Sequence, residues 1–309
     1  MRAAFAKALI ELAAEDQRIV LLTADLGFMV LEPFASAFPE RFYNVGVAEA
    51  NMVGMATGLA QAGYIPFLYS IATFASMRAY EQFRNGPILH SFPVRLVGIG
   101  GGFEYGNSGI THYAFEDIGI MRLQPRLTTI VPADGEQTYS AIRSTHNLPG
   151  PIYFRIGKND QRTVPGLGGR FRLGRIEVVS EGNDLLLIAT GSISADVAEA
   201  SSQLAKMGIH CTVAIVSSLR PEPVEDLTSL LKRFPLALTV ETHYTTGGLG
   251  SFVAETIADH GLLCKIHRCG LTTMPSGVAG SENFLNTRYN LTPAAITQIA
   301  CEQLDRLKT

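Results

Sequence analysis

Apolar residues recur along this chain in short, nearly continuous runs separated by stretches of helical period. RIVLLTADL (18–26), YIPFLYS (64–70), VRLVGIG (94–100), LTTIVPAD (127–134) and PIYFRIG (151–157) read as strands. Helical patterns fill the intervals near 2–14, 48–62, 74–85, 115–122 and 135–145. Apolar strands alternating with helices predict a parallel sheet covered on both faces, an α/β fold. The alternation breaks at KNDQRTVPGLGGRFRLG (158–174), which is polar and rich in Gly and Arg. It restarts with DLLLIATGS, a helix near 194–207, HCTVAIVSS, a helix near 222–233, LALTVETH, a helix near 249–260, CKIHRCG and a last helix near 293–307. Two successive α/β domains are expected, 1–158 and a smaller 175–309, with a linker over 159–174.

One predicted helix carries an anomaly. In YNVGVAEANMVGMATGLAQAG (43–63) there is no charge from Ala50 to Ala62, so the helix reads as buried on every side, yet Glu49 stands at its front. A buried carboxylate either finds a partner or takes a proton. A first-turn acid favourable to the helix dipole is the ordinary explanation, and Glu49 on its own does not go beyond it.

Composition narrows the function classes. The chain has 309 residues, is 47% hydrophobic and carries a net charge of -3 with Lys and Arg scattered, so neither a nucleic-acid stripe nor a polybasic membrane patch is expected. No apolar run is long enough to span a bilayer, and MRAAFAKALIELAAEDQ reads as an amphipathic helix rather than a signal peptide. Cys211, Cys264, Cys269 and Cys301 are unpatterned and read as reduced cytoplasmic thiols; no metal site is expected.

Ligands of open α/β sheets bind at the carboxyl ends of the strands. The loops expected there carry Asp25, Phe74, Arg78, Tyr80, Ser108, His112, Glu116 and Asp117. TADLG, GVAEANMVGMATGLA, TFASMRAYEQ and GITHYAFEDIGIMR, in this order, resemble the pyrimidine-binding domain of transketolase-type thiamine diphosphate enzymes. TVETHYTTGGLGSFVAE (239–255) is similar to the opening of the transketolase C-terminal domain. The resemblance implies a pyrimidine-binding fold followed by that smaller domain. It implies that Glu49 hydrogen-bonds N1′ of the cofactor's aminopyrimidine and favours the imino form that activates the thiazolium. Phe74 matches the aromatic that stacks on the pyrimidine, with Met77 and Tyr80 lining the same pocket. Asp25 matches an aspartate near the thiazolium and the subunit contact. His112 matches the histidine at the substrate mouth, where it moves a proton or holds a substrate oxygen. Glu116 and Asp117 read as cap and dipole residues, and His243 as a loop histidine near a subunit contact.

The family's GDG…N motif for Mg²⁺ and the diphosphate has no match. Asp134–Gly135 lacks the downstream Asn, and Gly100–Gly102 lacks phosphate-cradle spacing. Half a cofactor site is therefore expected here. A partner subunit carrying the diphosphate-binding domain would hold the diphosphate and Mg²⁺, and the catalytic unit would be a heterotetramer with active sites at interfaces. The second domain would serve assembly.

At the substrate end the chain departs from the family pattern. Met29 stands at a serine position, Gly100 at a histidine, Lys158 at an arginine, and Asn107–Ser108 at an acidic pair. These changes predict a wider, more apolar mouth and a non-standard sugar substrate, although Arg78 matches an arginine suited to a phosphate. The reaction expected is two-carbon ketol transfer between a ketose and an aldose. The alternatives are the β subunit of a 2-oxo-acid dehydrogenase or decarboxylase and a non-catalytic assembly subunit.

Overall fold

The computed structural model describes residues 1–308. Its first half contains α1 (Arg2–Glu15), β1 (Ile19–Thr23), α2 (Glu32–Ala37), β2 (Phe42–Asn44), α3 (Glu49–Gln61), β3 (Ile65–Ile71), α4 (Ala72–Met77), α5 (Tyr80–Phe83), β4 (Arg95–Ile99), α6 (Asp117–Arg122), β5 (Thr128–Ile130), α7 (Gly135–Thr145) and β6 (Ile152–Ile156). The second half contains β7 (Glu177–Ser180), β8 (Leu185–Ala189), α8 (Ser194–Lys206), β9 (Cys211–Ile215), β10 (Ser218–Arg220), α9 (Val224–Leu231), β11 (Leu236–Tyr244), α10 (Leu249–Asp259), β12 (Lys265–Leu271), α11 (Glu282–Arg288) and α12 (Pro293–Lys308). The strand orders are β10-β5-β6-β4-β3-β1-β2 and β12-β11-β8-β9-β7. Among the described residues, only β10 and β7 run antiparallel to their neighbours.

Successive residues of a strand face opposite ways, and β3 shows the consequence. Phe67 packs with Phe5, Leu9 and Leu12 of α1 on one face. Leu68 packs with Met52, Val53 and Ala56 of α3 on the other. Both faces are covered, as the continuous apolar runs require. No helix among the described residues is long and apolar enough to cross a membrane.

Four local features differ from the sequence reading. The helix expected over 74–85 is broken at Ala79 into α4 and α5, and a π-turn at Arg84–Ile88 containing Pro87 follows. HCTVAIVSS does not end as one strand: after Ile215 the chain crosses to the first sheet, where Ser218 pairs with Ile130 and Arg220 with Thr129. The segment 159–174 is packed rather than loose. Val164 and Leu167 are buried, while Arg170 and Arg172 both reach Glu177 at 3.3 and 2.9 Å. Finally, α3 is not buried all round. Met52, Val53, Ala56 and Ala60 face the sheet, but Asn51, Gly54, Met55 and Gly58 face outward. Absence of charge marked a face that no part of this chain covers.

Candidate active site

Glu49 opens α3 and is only 2% exposed. One carboxylate oxygen accepts a hydrogen bond from the Ser70 hydroxyl on β3 at 2.9 Å. The other accepts from Nη1 of Arg78 at 3.0 Å. The buried charge has therefore found partners, one of the two outcomes that burial allows. Phe74 on α4 lies beside them. The Arg78 guanidinium carbon stands 3.9 Å from the Phe74 ring centroid, and the His112 ring meets Phe74 edge-on at 5.0 Å and 68°. His112 Nδ1 is 3.0 Å from the Thr111 hydroxyl. Ser70, Glu49, Arg78, Phe74 and His112 thus form one contiguous group at the carboxyl ends of β3 and β4.

A planar cation that donates N–H bonds to Glu49 while lying against Phe74 occupies this group. The residues present therefore fit an aminopyrimidine, which is also planar and offers ring and exocyclic nitrogens to a carboxylate and a face to an aromatic ring. Arg78, matched in sequence to a phosphate-holding arginine, here makes a charge-assisted hydrogen bond to Glu49.

The other predicted residues fall into separate places. Asp25 ends the turn after β1 in left-handed backbone, φ 55°, and exchanges two 3.0 Å hydrogen bonds with Asn44. Met29 is also left-handed, φ 61°, and 83% exposed beside Phe28, which is 84% exposed. The Tyr80 hydroxyl donates to the Ile120 carbonyl at 2.9 Å and accepts from Gln124, so it ties α5 to α6 rather than pointing a free group at the pocket. Met77 is half-exposed, and Asn107 and Ser108 lie exposed on a short 3-10 turn.

Gly100 does not widen the mouth. A Cβ built there would lie 2.4 Å from the Tyr105 ring, so Tyr105 occupies the space a side chain at 100 would take. Lys158 sits above that ring, with Nζ 4.6 Å from its centroid, and its backbone N–H donates to the Glu104 carboxylate. Burial pushes the Glu104 carboxyl up, against the bonds from Ser192 and Lys158. The neighbouring glycines have the same logic: Gly101 leaves room for the Arg155 guanidinium and Gly102 for Thr242. This glycine run serves close packing of side chains, not a phosphate.

Asp117 opens α6 as its first-turn acid, but it is also part of a buried network. It is 1% exposed, receives the Tyr153 hydroxyl at 2.7 Å and faces Arg155 Nε at 3.2 Å. Burial, then the Asp117 charge, pushes the Tyr153 hydroxyl far up. Glu116 accepts from the Phe115 N–H at 3.1 Å. Asp134 caps α7 by accepting from Gln137 N–H at 2.9 Å, and also accepts from Val164 N–H at 3.0 Å. His243 is buried within β11, not in a loop. Its Nε2 accepts from the Gly119 N–H at 3.1 Å, which leaves Nδ1 to donate to the Tyr244 carbonyl at 2.8 Å. In the same motif Glu241 accepts the Leu249 and Gly250 N–H groups, each at 2.7 Å, at the start of α10. Sequence reading missed Ser70, Glu104 and Tyr105. Only their place at strand ends could have flagged them.

Comparison with known proteins supplies the family. The family description "Transketolase, pyrimidine binding domain" matches residues 1–163, and "Transketolase, C-terminal domain" matches 174–296. A protein of Methanocaldococcus jannaschii described as a transketolase C-terminal section is 36% identical over 309 residues, covering 99% of this chain and 96% of its own. One of the subunits of an apulose-4-phosphate transketolase from Actinobacillus succinogenes is 32% identical over 270 residues, 87% of each chain. The solved structure of a split-gene transketolase, described as an inactive beta4 tetramer, is 34% identical and superposes with a TM-score of 0.87 over 98% of this chain and 97% of that one. By domain content, identity and fold, the chain belongs to the transketolase family.

Proposed function

We propose that this chain is the C-terminal subunit of a split, thiamine-diphosphate-dependent transketolase, acting in the cytoplasm on a non-standard sugar. The observation that carries the reading is the grouping of Glu49 and Phe74 about one planar cation: a buried carboxylate and an aromatic face that Arg78 touches together. Glu49 would hold the ring nitrogen and share a proton with it, in an environment where that bond is strengthened by low dielectric. Phe74 fixes the plane of the ring. Ser70 orients the carboxylate through its other oxygen. Thiamine diphosphate, when bound, supplies a carbon nucleophile able to break a C–C bond beside a carbonyl. His112, at the edge of Phe74, is placed to hold a substrate oxygen or carry its proton.

The diphosphate and Mg²⁺ are held by a partner subunit bearing the family's diphosphate-binding domain, in a heterotetramer. An uncovered surface supports this. Phe28, Met29 and Val47 are 84%, 83% and 70% exposed, and a side chain added at Gly54 or Gly58 on α3 would meet nothing within 4 Å. Exposed apolar side chains and a bare helix face are features of a protein contact. The relative acting on apulose 4-phosphate supports an unusual sugar. So does Lys158, an amine over the Tyr105 ring where the family pattern has an arginine fork.

The test is co-purification with an N-terminal subunit, followed by assay with thiamine diphosphate and Mg²⁺ against a panel of ketose donors and aldose acceptors. Ketol transfer by the complex and none by the isolated chain is expected. Tight cofactor binding by the isolated chain would sink the split-site reading. Carbon dioxide release from a 2-oxo acid would replace the transferase with a decarboxylase.

A further inference from the structure

Arg78 does more than neutralise Glu49. Its guanidinium makes the two contacts that a bound aminopyrimidine would need: a hydrogen bond to the free oxygen of Glu49 at 3.0 Å and a position over the Phe74 ring at 3.9 Å. Ser70 already holds the other Glu49 oxygen, and His112 takes an edge of Phe74. The slot therefore has one carboxylate oxygen and one aromatic face to offer, and Arg78 uses both. It reaches them without backbone change, because Phe74 and Arg78 are four apart on one helical turn, joined by an N–H to carbonyl bond of 3.2 Å. The side chain is 45% exposed while Glu49 is 2% exposed, so the guanidinium lies over the slot like a cover and has solvent to retreat into.

We infer that the slot is a binding site for planar N–H donors, and that in the cofactor-free chain Arg78 is its resident ligand. Filling the slot with a pyrimidine is then an exchange, in which the guanidinium leaves Glu49 and Phe74 as the ring arrives. The ion pair and the ring contact are lost together, and both are present only while the slot is empty of other ligands. The inference rests on the pyrimidine-slot reading of Glu49 and Phe74, and adds what fills that slot beforehand.

The experiment uses the isolated full chain, isotopically labelled and followed by NMR, with 4-amino-2-methylpyrimidine as the probe. This is the cofactor's ring without the diphosphate that a partner would hold. Arg78→Ala is expected to bind the probe about tenfold more tightly than the unsubstituted chain, the size of effect that losing one half-exposed ion pair and ring contact predicts. Millimolar guanidinium is expected to displace the probe from Arg78→Ala. Glu49→Gln made in the Arg78→Ala chain reports whether binding is at the slot, since without the competing guanidinium it should only weaken it. If Arg78→Ala does not fold, Arg78→Gln, which cannot form the ion pair, takes its place. Equal affinity in the unsubstituted chain and the Arg78 variants, with binding still sensitive to Glu49→Gln, would overturn the exchange and leave the slot reading standing. No probe binding in any variant would remove both.

Discussion

Glu49 is held by two groups of different kinds. Ser70 is fixed on a buried strand, whereas Arg78 is a long side chain with half its surface in solvent. The fixed partner aims the carboxylate, and the mobile one can be replaced. Glu49→Gln keeps the shape and a hydrogen bond to Ser70 but removes the proton-sharing oxygen. In the assembled enzyme it is expected to lower kcat by about 10²–10⁴-fold, the usual range for a general acid–base group, with the melting temperature little changed. Steady-state kinetics beside a thermal melt checks this. That Glu49, Phe74 and His112 would come together was legible in the sequence, because the short motifs around them resemble those of one family. Ser70 was not, since one serine at the end of an apolar strand carries no signal of its own. The partner of Arg78 was not legible either: which anion a flexible arginine chooses is a three-dimensional matter.

At the scale of elements, the informative residues are those without side chains. The carboxyl end of β4 runs into Gly100 and Gly101, and the space beside Gly101 holds the Arg155 guanidinium. That group cannot move aside cheaply, because it also donates to the Ala114 and Thr242 carbonyls at 2.8 and 2.7 Å and faces Asp117. Gly101→Ala is therefore expected to cost about 1–3 kcal/mol through overpacking, read as a lower denaturant midpoint with unchanged slope. The glycine run was visible in the sequence, but its reason was not, since Tyr105 and Arg155 are distant or differently oriented along the chain. The helix α3 gives the complementary case. Its lack of charge predicted full burial, yet Gly54 and Gly58 face outward with nothing against them. Periodicity reports that a face avoids water, and cannot say whether the cover belongs to the same chain. Gly58→Leu should leave the isolated chain as stable as before or up to about 1 kcal/mol more stable, since glycine is a poor former of an exposed helix interior. It should also block assembly with the N-terminal subunit or with further copies, measured by native mass spectrometry. Assembly at unchanged affinity would show that α3 is not part of the contact.

The two domains were legible as alternating strands and helices; their attachment was not. β10 leaves the second half to extend the first sheet, Arg155 reaches across to the Thr242 carbonyl, and Ser192 donates to Glu104 at 2.5 Å. Glu282 on α11 faces the same cleft, near Glu104, Asp196, Arg162 and Lys158. Burial, followed by the Glu104 charge, pushes Glu282 up to about 7, from 4.5 for an unperturbed glutamate. Glu104 is pushed up as well, by burial. The sign of the pH dependence follows. Between about 4.5 and 7 the folded chain keeps a proton on Glu282 that the unfolded chain has already released. Stability from this site is therefore full at the acid end of that window and is lost as pH rises through it. Each tenfold change in proton affinity corresponds to about 1.4 kcal/mol, so the loss has an upper limit of about 3 kcal/mol, reduced by solvent access and by the nearby Arg162 and Lys158. Glu282→Gln removes the titration while keeping the shape. The variant is expected to be more stable than the unsubstituted chain at pH 8 by about 1 kcal/mol and indistinguishable from it at pH 5, measured by urea denaturation at both. A variant less stable at pH 8 would mean that the ionised glutamate is held by Arg162 and Lys158 more strongly than Glu104 repels it. The cleft would then be an ion-paired seam that tightens, not loosens, as pH rises.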